Sequence, residues 1–238
     1  MKFQYASRSE TGPVRNHNED AILANTCQEA GLFLVADGMG GRADGEVVSG
    51  KIRDDYDRWW HKTFLPSCGK MDFRDALEQL KSVLQRLNLE VIQRYGEKTA
   101  GSTIVLLFAY KGNFAYLWVG DSRIYRFRGL GIEQITKDDV FHTTEAGKER
   151  LNGKLTGAVG LRTALELNLR TDTIRNNDGF FLCSDGVYRF APPSFLKRKL
   201  RFGGGLSAPE EVVASIEREV LKNGARDNYS MIFLKARP

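Results

Sequence analysis

The sequence has few of the residues that commonly bind zinc or form disulfide bonds. Its 238 residues include three histidines and three cysteines, and Cys27, Cys68 and Cys183 lack the Cys-x-x-Cys spacing of a metal or redox site. An odd number of scattered cysteines does not indicate a disulfide framework. We therefore expect reduced thiols in a cytoplasmic protein.

Long apolar runs are missing as well. No run approaches the roughly 18–20 residues that cross a bilayer, and residues 1–12 lack the apolar centre of a signal peptide. The net charge of +5 is modest, and its one local cluster, Lys197–Arg201, has no interleaved aromatic residues. We expect a soluble protein with neither a membrane nor a nucleic acid as partner, and we interpret the cluster as solvated surface.

The elements that the sequence does contain are typical of antiparallel sheets with helices on their outer faces. Strand-like segments come first, two helical stripes follow, and many strands, a helix and a last strand complete the order. Hairpin signals such as Lys111–Asn113 join the strands, and no repeat or linker divides the chain. We expect one domain over residues 1–238, with an irregular insertion at about 137–163 that includes at most a short helix.

Acidic residues recur beside the predicted strands. Asp37, Asp121 and Asp185 each follow an apolar run, and a glycine-rich turn is expected directly after Asp37. Each acid alone could be an ordinary turn or cap residue. If the strand ends converge, several carboxylates in one place repel one another unless cations neutralise them. The full set of these acids is Glu19, Asp20, Asp37, Asp121, Asp185 and Asp227.

A set of donors made only of oxygen predicts hard divalent ions, Mg²⁺ or Mn²⁺, rather than zinc. Two such ions roughly 3.5–4 Å apart lower the pKa of a bridging water and hold a phosphoryl oxygen. Arg15, close in sequence to Glu19 and Asp20, is suited to grip a phosphate dianion with two hydrogen bonds. The residues by themselves therefore indicate hydrolysis of a phosphate ester.

Short motifs that contain these acids occur in a fixed order along the chain. They are Arg15-x-x-Asn18-Glu19-Asp20, Asp37-Gly38-Met39-Gly40-Gly41 with Gly45-Glu46, Gly101-Ser102-Thr103, Gly120-Asp121-Ser122-Arg123, Ser184-Asp185-Gly186 and Asp227-Asn228. Together they resemble the motifs of the bacterial branch of the type 2C metal-dependent serine/threonine protein phosphatases. The resemblance extends from about residue 3 to residue 235.

The resemblance implies an α+β fold, a four-layer αββα sandwich in which two antiparallel β-sheets are flanked by antiparallel helix pairs. It also implies hydrolysis of phosphoserine and phosphothreonine on proteins, by attack of a metal-bridging hydroxide and without a phosphoenzyme. The implied partner is a phosphorylated protein, such as a serine/threonine kinase or its targets. We expect the phosphatase to be a monomer.

The motif positions imply a role for each site residue. Asp37 is expected to bridge two ions of Mn²⁺ or Mg²⁺, and the Gly38 carbonyl to bind the first. The other roles are Asp185 and Asp227 on the second ion, Glu19 and Asp20 acting directly or through water, Asp121 with Asp185 at a third ion position, and Arg15 on the substrate phosphate.

Two departures from the family pattern concern the proton donor and the insertion. Arg42 stands where many bacterial members have His, and Met39 stands where the animal-type members have it. The general acid is therefore open between His17, which could equally be a structural or exposed residue, and a metal-bound water. The insertion is short, and the family's Asp-His pair there is Asp138-Asp139.

Two other functional classes stay open at this stage. A catalytically dead relative that binds phosphopeptides is one, because Arg42 and the short insertion depart from the family pattern. A metal-dependent hydrolase of small phosphoesters is the other. We interpret Trp59, Trp60 and Trp118 as packing residues rather than as a ligand site.

Overall fold

Two antiparallel β-sheets form the centre of the molecule in this computed structural model, which describes residues 2–40, 44–129, 131–145, 148–203 and 207–237. The strands, in chain order, are β1 (Lys2–Glu10), β2 (Asp20–Thr26), β3 (Ala30–Gly40), β4 (Ala100–Ser102), β5 (Ile104–Tyr110), β6 (Asn113–Val119), β7 (Arg123–Arg128), β8 (Gly131–Gln134), β9 (Val140–Glu145), β10 (Lys148–Leu155), β11 (Asn168–Thr173), β12 (Gly179–Cys183) and β13 (Tyr229–Arg237). The helices are α1 (Asp44–Trp59), α2 (Leu65–Ser67), α3 (Phe73–Tyr95), α4 (Asp185–Tyr188), α5 (Pro193–Gly203) and α6 (Pro209–Lys222), with a π-helical turn at Trp60–Phe64.

Both sheets are antiparallel between all of their paired strands. The first has the order β11-β6-β5-β3-β2, with β4 paired to the end of β3, and the second has the order β1-β13-β12-β7-β8. The predicted hairpin at Lys111–Asn113 joins β5 to β6. The last strand, β13, lies between β1 and β12, so the two ends of the chain share one sheet.

Three apolar layers hold the sheets and helices together. Phe114 of β6 and Phe180 of β12, with ring centroids 4.9 Å apart, belong to the layer between the sheets. Leu34 lies in the layer under α1 and α3, and Phe181 in the layer under α5 and α6. Because both faces of the central strands are covered, these strands are continuous apolar runs rather than alternating ones. The α+β, αββα sandwich predicted from the sequence is confirmed.

The helices and the tryptophan side chains pack around the two sheets. None of the helices in the described ranges is both long and apolar enough to cross a membrane. Trp59 and Trp60 belong to the outer apolar layer and Trp118 to the layer between the sheets, which confirms their interpretation as packing residues. Cys27 and Cys68 are free thiols with sulfur atoms 3.8 Å apart.

The segment at 137–163 differs from the prediction. Instead of an irregular stretch with a short helix, it contains the antiparallel ribbon of β9 and β10. This ribbon forms a sheet of its own, separate from the two sheets of the core. The sequence of the ribbon has no regular alternation of apolar and polar residues, so it gives no strand signal.

Asn88, a fully buried polar residue of α3, connects this helix to the chain that follows β10. Its side-chain oxygen accepts the Gly160 N–H at 2.8 Å, and its amide donates to the Arg162 and Thr163 carbonyls at 2.9 and 3.2 Å. These bonds fix the chain after β10 against the helix.

We predict that Asn88→Ala lowers the free energy of unfolding by on the order of 2–4 kcal/mol, because it leaves buried backbone groups without partners. Gln85→Ala, at an exposed position of the same helix, is the control and should change stability by less than about 0.5 kcal/mol. Urea denaturation of both variants measures the difference. Equal midpoints would contradict the structural role of Asn88.

Candidate active site

The two acids at the centre of the site lie opposite each other on neighbouring strands. Asp20 of β2 pairs directly with Asp37 of β3, which brings their Cβ atoms within roughly 5.5 Å. The turn predicted after Asp37 is wrong, because β3 continues to Gly40 with β4 as its new partner. Asp37 therefore projects from inside a strand, where its backbone is held on both sides.

The ladder between β2 and β3 is interrupted one residue beyond this pair. The Gly38 N–H donates to the Glu19 carbonyl at 3.0 Å, but the Glu19 N–H donates to the Asn228 side-chain oxygen at 2.9 Å instead. A Cβ at Gly38 would collide with the carbonyls of Glu19 and Gly45, so only glycine fits. The Gly38 carbonyl thus lacks the Glu19 donor that a regular ladder would supply, which leaves this oxygen suited to bind a cation.

Close packing of α4 on β13 brings Asp185 and Asp227 to the same place. Asp185 begins α4, and Asp227 stands two residues before β13. A Cβ at Gly186 would collide with the Asn228 carbonyl, so glycine is required where the helix meets the strand. Loops far apart in sequence are in this way fixed at one edge of the sandwich.

Direct hydrogen bonds connect α4 to the central pair. The Ser184 hydroxyl donates to Asp20 Oδ2 at 2.8 Å, and Asp185 is close enough for its charge to raise the pKa of both Asp20 and Asp37. Ser184 Oγ also accepts the Ser230 N–H at 3.0 Å. Asp227 is close enough for its charge to raise the pKa of Asp20, Asp37 and Asp185. Four of the predicted site acids therefore lie close together.

Two arginines border the acids. Arg15 Nη2 lies 2.8 Å from Asp227 Oδ1, and 48% of the Arg15 side chain is exposed. On the other side, Arg189 Nη2 lies 3.0 Å from Asp185 Oδ2 and 3.5 Å from Asp121 Oδ2. Arg15 is thus placed to meet an incoming anion, whereas Arg189 is engaged by two acids.

The other predicted residues lie apart from the acid cluster or outside the described chain. His17 is exposed. Asp138 pairs with Arg123 at 2.7 Å, and Asp139 accepts the Gly120 N–H at 2.9 Å. Arg42, a departure from the family motif, lies outside the described residues together with Gly41. Asp138 and Asp139 therefore have structural partners.

Burial raises the pKa of the site acids. The pKa of Asp37 is raised well above its ordinary range, first by burial and then by the charges of Asp20 and Asp185. Burial raises the pKa of Asp20 to about 7 and that of Asp185 to about 6, and it also raises the pKa of Glu19 and Asp121. In the absence of cations, burial therefore disfavours the charged form of each of these carboxyl groups.

The chemistry of this donor set fits divalent ions such as Mn²⁺ and Mg²⁺. Buried carboxylates that repel one another and a glycine carbonyl without its ladder partner are oxygen donors of the kind these ions prefer. In the described part of the chain the acids meet in pairs, and no three His, Cys, Asp or Glu side chains are grouped to enclose an ion as they stand. Bound divalent ions would stabilise the charged form of these carboxylates.

Comparison with known proteins identifies the family. Residues 14–220 match the family model for protein phosphatase 2C. The chain belongs to this family. The resemblance predicted from the six motifs is confirmed.

Relatives of this 2C phosphatase match it along nearly its whole length. The serine/threonine phosphatase stp of Listeria monocytogenes is 26% identical over 246 residues, which cover 96% of this chain and 94% of that protein. The solved structure of PppA, a key regulatory component of T6SS in Pseudomonas aeruginosa, has a sequence identity of 35% and a TM-score of 0.82. The match covers 99% of this chain and 98% of PppA. The structure of the serine/threonine phosphatase Stp1 from Staphylococcus aureus has the same fold, with a TM-score of 0.84. It is 23% identical, and the match covers 100% of this chain and 96% of that one.

Sequence reasoning missed three residues that organise the site of this phosphatase. Ser184 bonds Asp20, and Tyr188 donates its hydroxyl to Asp121 Oδ2 at 3.2 Å. The third, Arg189, stands four residues after Asp185, a spacing that places two side chains on one helical face. That spacing was a usable signal for Arg189, whereas the bond between Ser184 and Asp20 spans 164 positions and has no sequence signature.

We predict that the metal-free phosphatase loses stability as the pH rises toward 7. Because the folded pKa values of Asp20 and Asp185, about 7 and about 6, exceed the ordinary 3.8, the folded chain keeps protons that the unfolded chain has released. The free energy of unfolding should then fall by about 1.4 kcal/mol per pH unit for each proton kept. Thermal unfolding in chelator between pH 4 and pH 7 measures this change.

Asp20→Asn is the control for this prediction, because it removes one of the titrating groups and should make the decline shallower. Added Mn²⁺ should abolish the decline, since the ions stabilise the charged carboxylates. An equal slope in Asp20→Asn and in the unchanged chain would contradict the assignment.

Proposed function

We propose that this 2C-family protein phosphatase hydrolyses phosphoserine and phosphothreonine on proteins and requires Mn²⁺ or Mg²⁺. The observation that carries the proposal is the meeting of buried and half-buried acids from three distant parts of the chain beside a half-exposed arginine. Such acids tolerate one another only when cations neutralise them, and the arginine is available to an anionic substrate.

The proposed core site holds two ions. Asp37 would be shared by both ions, the Gly38 carbonyl would hold the first, and Asp185 and Asp227 would hold the second. Glu19 and Asp20 complete the set, directly or through water. When bound, the ions supply an activated water for attack on phosphorus and withdraw charge from the phosphoryl oxygens.

The protein's own residues orient these groups. Ser184 fixes the Asp20 carboxyl by its 2.8 Å hydrogen bond, which keeps Asp20 turned toward α4. Arg15 offers a planar pair of donors that matches two oxygens of a phosphate dianion. Because Arg15 contacts Asp227, a phosphate held by Arg15 would lie close to this proposed metal ligand.

The proposed partners follow from the same site. A half-exposed Arg15 at the border of the cluster is accessible to a phosphorylated side chain on a protein surface. The name of the Listeria relatives, serine/threonine phosphatase, supports a phosphorylated protein as substrate. We propose that this substrate is a serine/threonine kinase or one of its targets. We propose that the phosphatase acts as a monomer in which residues 1–238 form one domain.

We predict that hydrolysis of an aryl phosphate depends on added Mn²⁺ or Mg²⁺. Asp37→Asn should reduce the rate by at least about 100-fold, because the bridging ligand is lost and with it the activated water. Steady-state kinetics after chelator treatment and metal titration measure both effects. Lack of turnover at any metal concentration, with phosphopeptide binding retained, would instead favour the catalytically dead binding protein.

We also predict that Arg15→Ala acts mainly on substrate binding. The loss of a charge-assisted, two-pronged contact should raise KM by about 10- to 100-fold and change kcat much less. Arg74→Ala, an exposed arginine in the first turn of α3, is the matched control and should leave KM unchanged. An unchanged KM in Arg15→Ala would show that another group binds the phosphate.

A further inference from the structure

We infer that the Arg189 guanidinium occupies the place of a third metal ion between Asp121 and Asp185, so that the phosphatase binds divalent ions in its core site alone. The inference rests on the proposed metal site and refines it. The family resemblance implies an ion at these two acids, but the residues present do not fit one.

The contacts of Arg189 are those of a counter-ion. One nitrogen, Nη2, serves both acids, at 3.0 Å from Asp185 Oδ2 and 3.5 Å from Asp121 Oδ2. Asp185 opens α4, and Arg189 follows the last residue of that helix with helical backbone angles. The i, i+4 spacing directs the arginine back over the first turn, where Asp185 lies.

Neighbouring groups hold Asp121 in this arrangement. Its Oδ2 atom, the oxygen that faces Arg189, also accepts the Tyr188 hydroxyl at 3.2 Å. The Tyr188 ring is covered by the Arg123 guanidinium, 3.5 Å from the ring centroid, and Arg123 is itself anchored by two hydrogen bonds to Asp138 Oδ2 and one to Asp138 Oδ1. Asp121 is thus turned toward α4 by a chain of contacts that begins at the 137–163 segment.

A divalent ion cannot share this place with the arginine. It would require the oxygens that Arg189 and Tyr188 already contact, and its two positive charges would lie within a few ångströms of the guanidinium charge. The two acids already have one positive charge between them, and Asp185 also serves the core site. Asp121 is therefore neutralised by the protein rather than by an ion from solution.

The arrangement makes the number of bound ions depend on one accessible side chain. Arg189 is 47% exposed, so its truncation removes little buried packing and should leave the fold intact. In Arg189→Ala, Asp121 and Asp185 lose their counter-charge and become available to a cation. The variant should gain a divalent-ion site.

The test counts Mn²⁺ ions bound per chain by equilibrium dialysis with elemental analysis, and confirms the fold by circular dichroism. We expect Arg189→Ala to bind one more Mn²⁺ than the unchanged chain. Arg198→Ala, which removes an exposed arginine of α5, should show no gain. The double variant Arg189→Ala with Asp121→Asn should lose the additional ion.

The test compares the number of Mn²⁺ ions bound by each variant with the number bound by the unchanged chain. Its result can therefore fail independently of the proposed function. An unchanged chain that binds no Mn²⁺ would refute the core site, yet a gain of one ion in Arg189→Ala would still support the role of Arg189. Equal counts in Arg189→Ala and the unchanged chain overturn the inference. A gained ion that persists without the Asp121 carboxylate overturns it too.

Discussion

Repulsion between buried carboxylates is the constraint on which the active site depends. The strand register places Asp20 directly opposite Asp37, and a slip of one residue would turn Asp37 to the other face of the sheet. α4 adds Asp185 to the pair through contacts that only Gly186 permits. The sandwich, with both sheet faces packed, supplies the rigidity that keeps these groups together although their raised pKa values show that burial alone disfavours the charges.

The fold balances these charges in two different ways. At the outer edge, arginines contact the acids directly, with Arg15 on Asp227 and Arg189 between Asp185 and Asp121. At the centre, Asp37 is half-buried among other acids, and each of the strongest influences on it raises its pKa. The need for ions from solution is therefore concentrated at Asp37, which agrees with its proposed place between two ions.

Much of this could be predicted from the sequence because buried strands and glycine-dependent contacts have strong local signals. Apolar runs located the strands before Asp121 and Asp185, and ordered motifs identified the family and its αββα fold. The end of β3 was predicted wrongly, because a change of partner from β5 to β4 depends on pairing between distant segments. The β9–β10 ribbon lacks an apolar pattern, and the contacts of Ser184 with Asp20 and of Arg189 with Asp121 become visible only when distant segments meet.

Asn228 connects the loop that carries Arg15 to the segment that carries Asp227. Its side-chain amide donates to the carbonyls of Thr11 and His17, both at 2.8 Å, and its oxygen accepts the Glu19 N–H. The two carbonyls flank Arg15 in sequence, so the loop that carries this arginine is anchored on both sides by the residue that follows Asp227. A phosphate held by Arg15 would thus have a defined position relative to Asp227. Defined placement of the reacting groups is what attack on phosphorus requires, and here a single asparagine at the start of the last strand provides it.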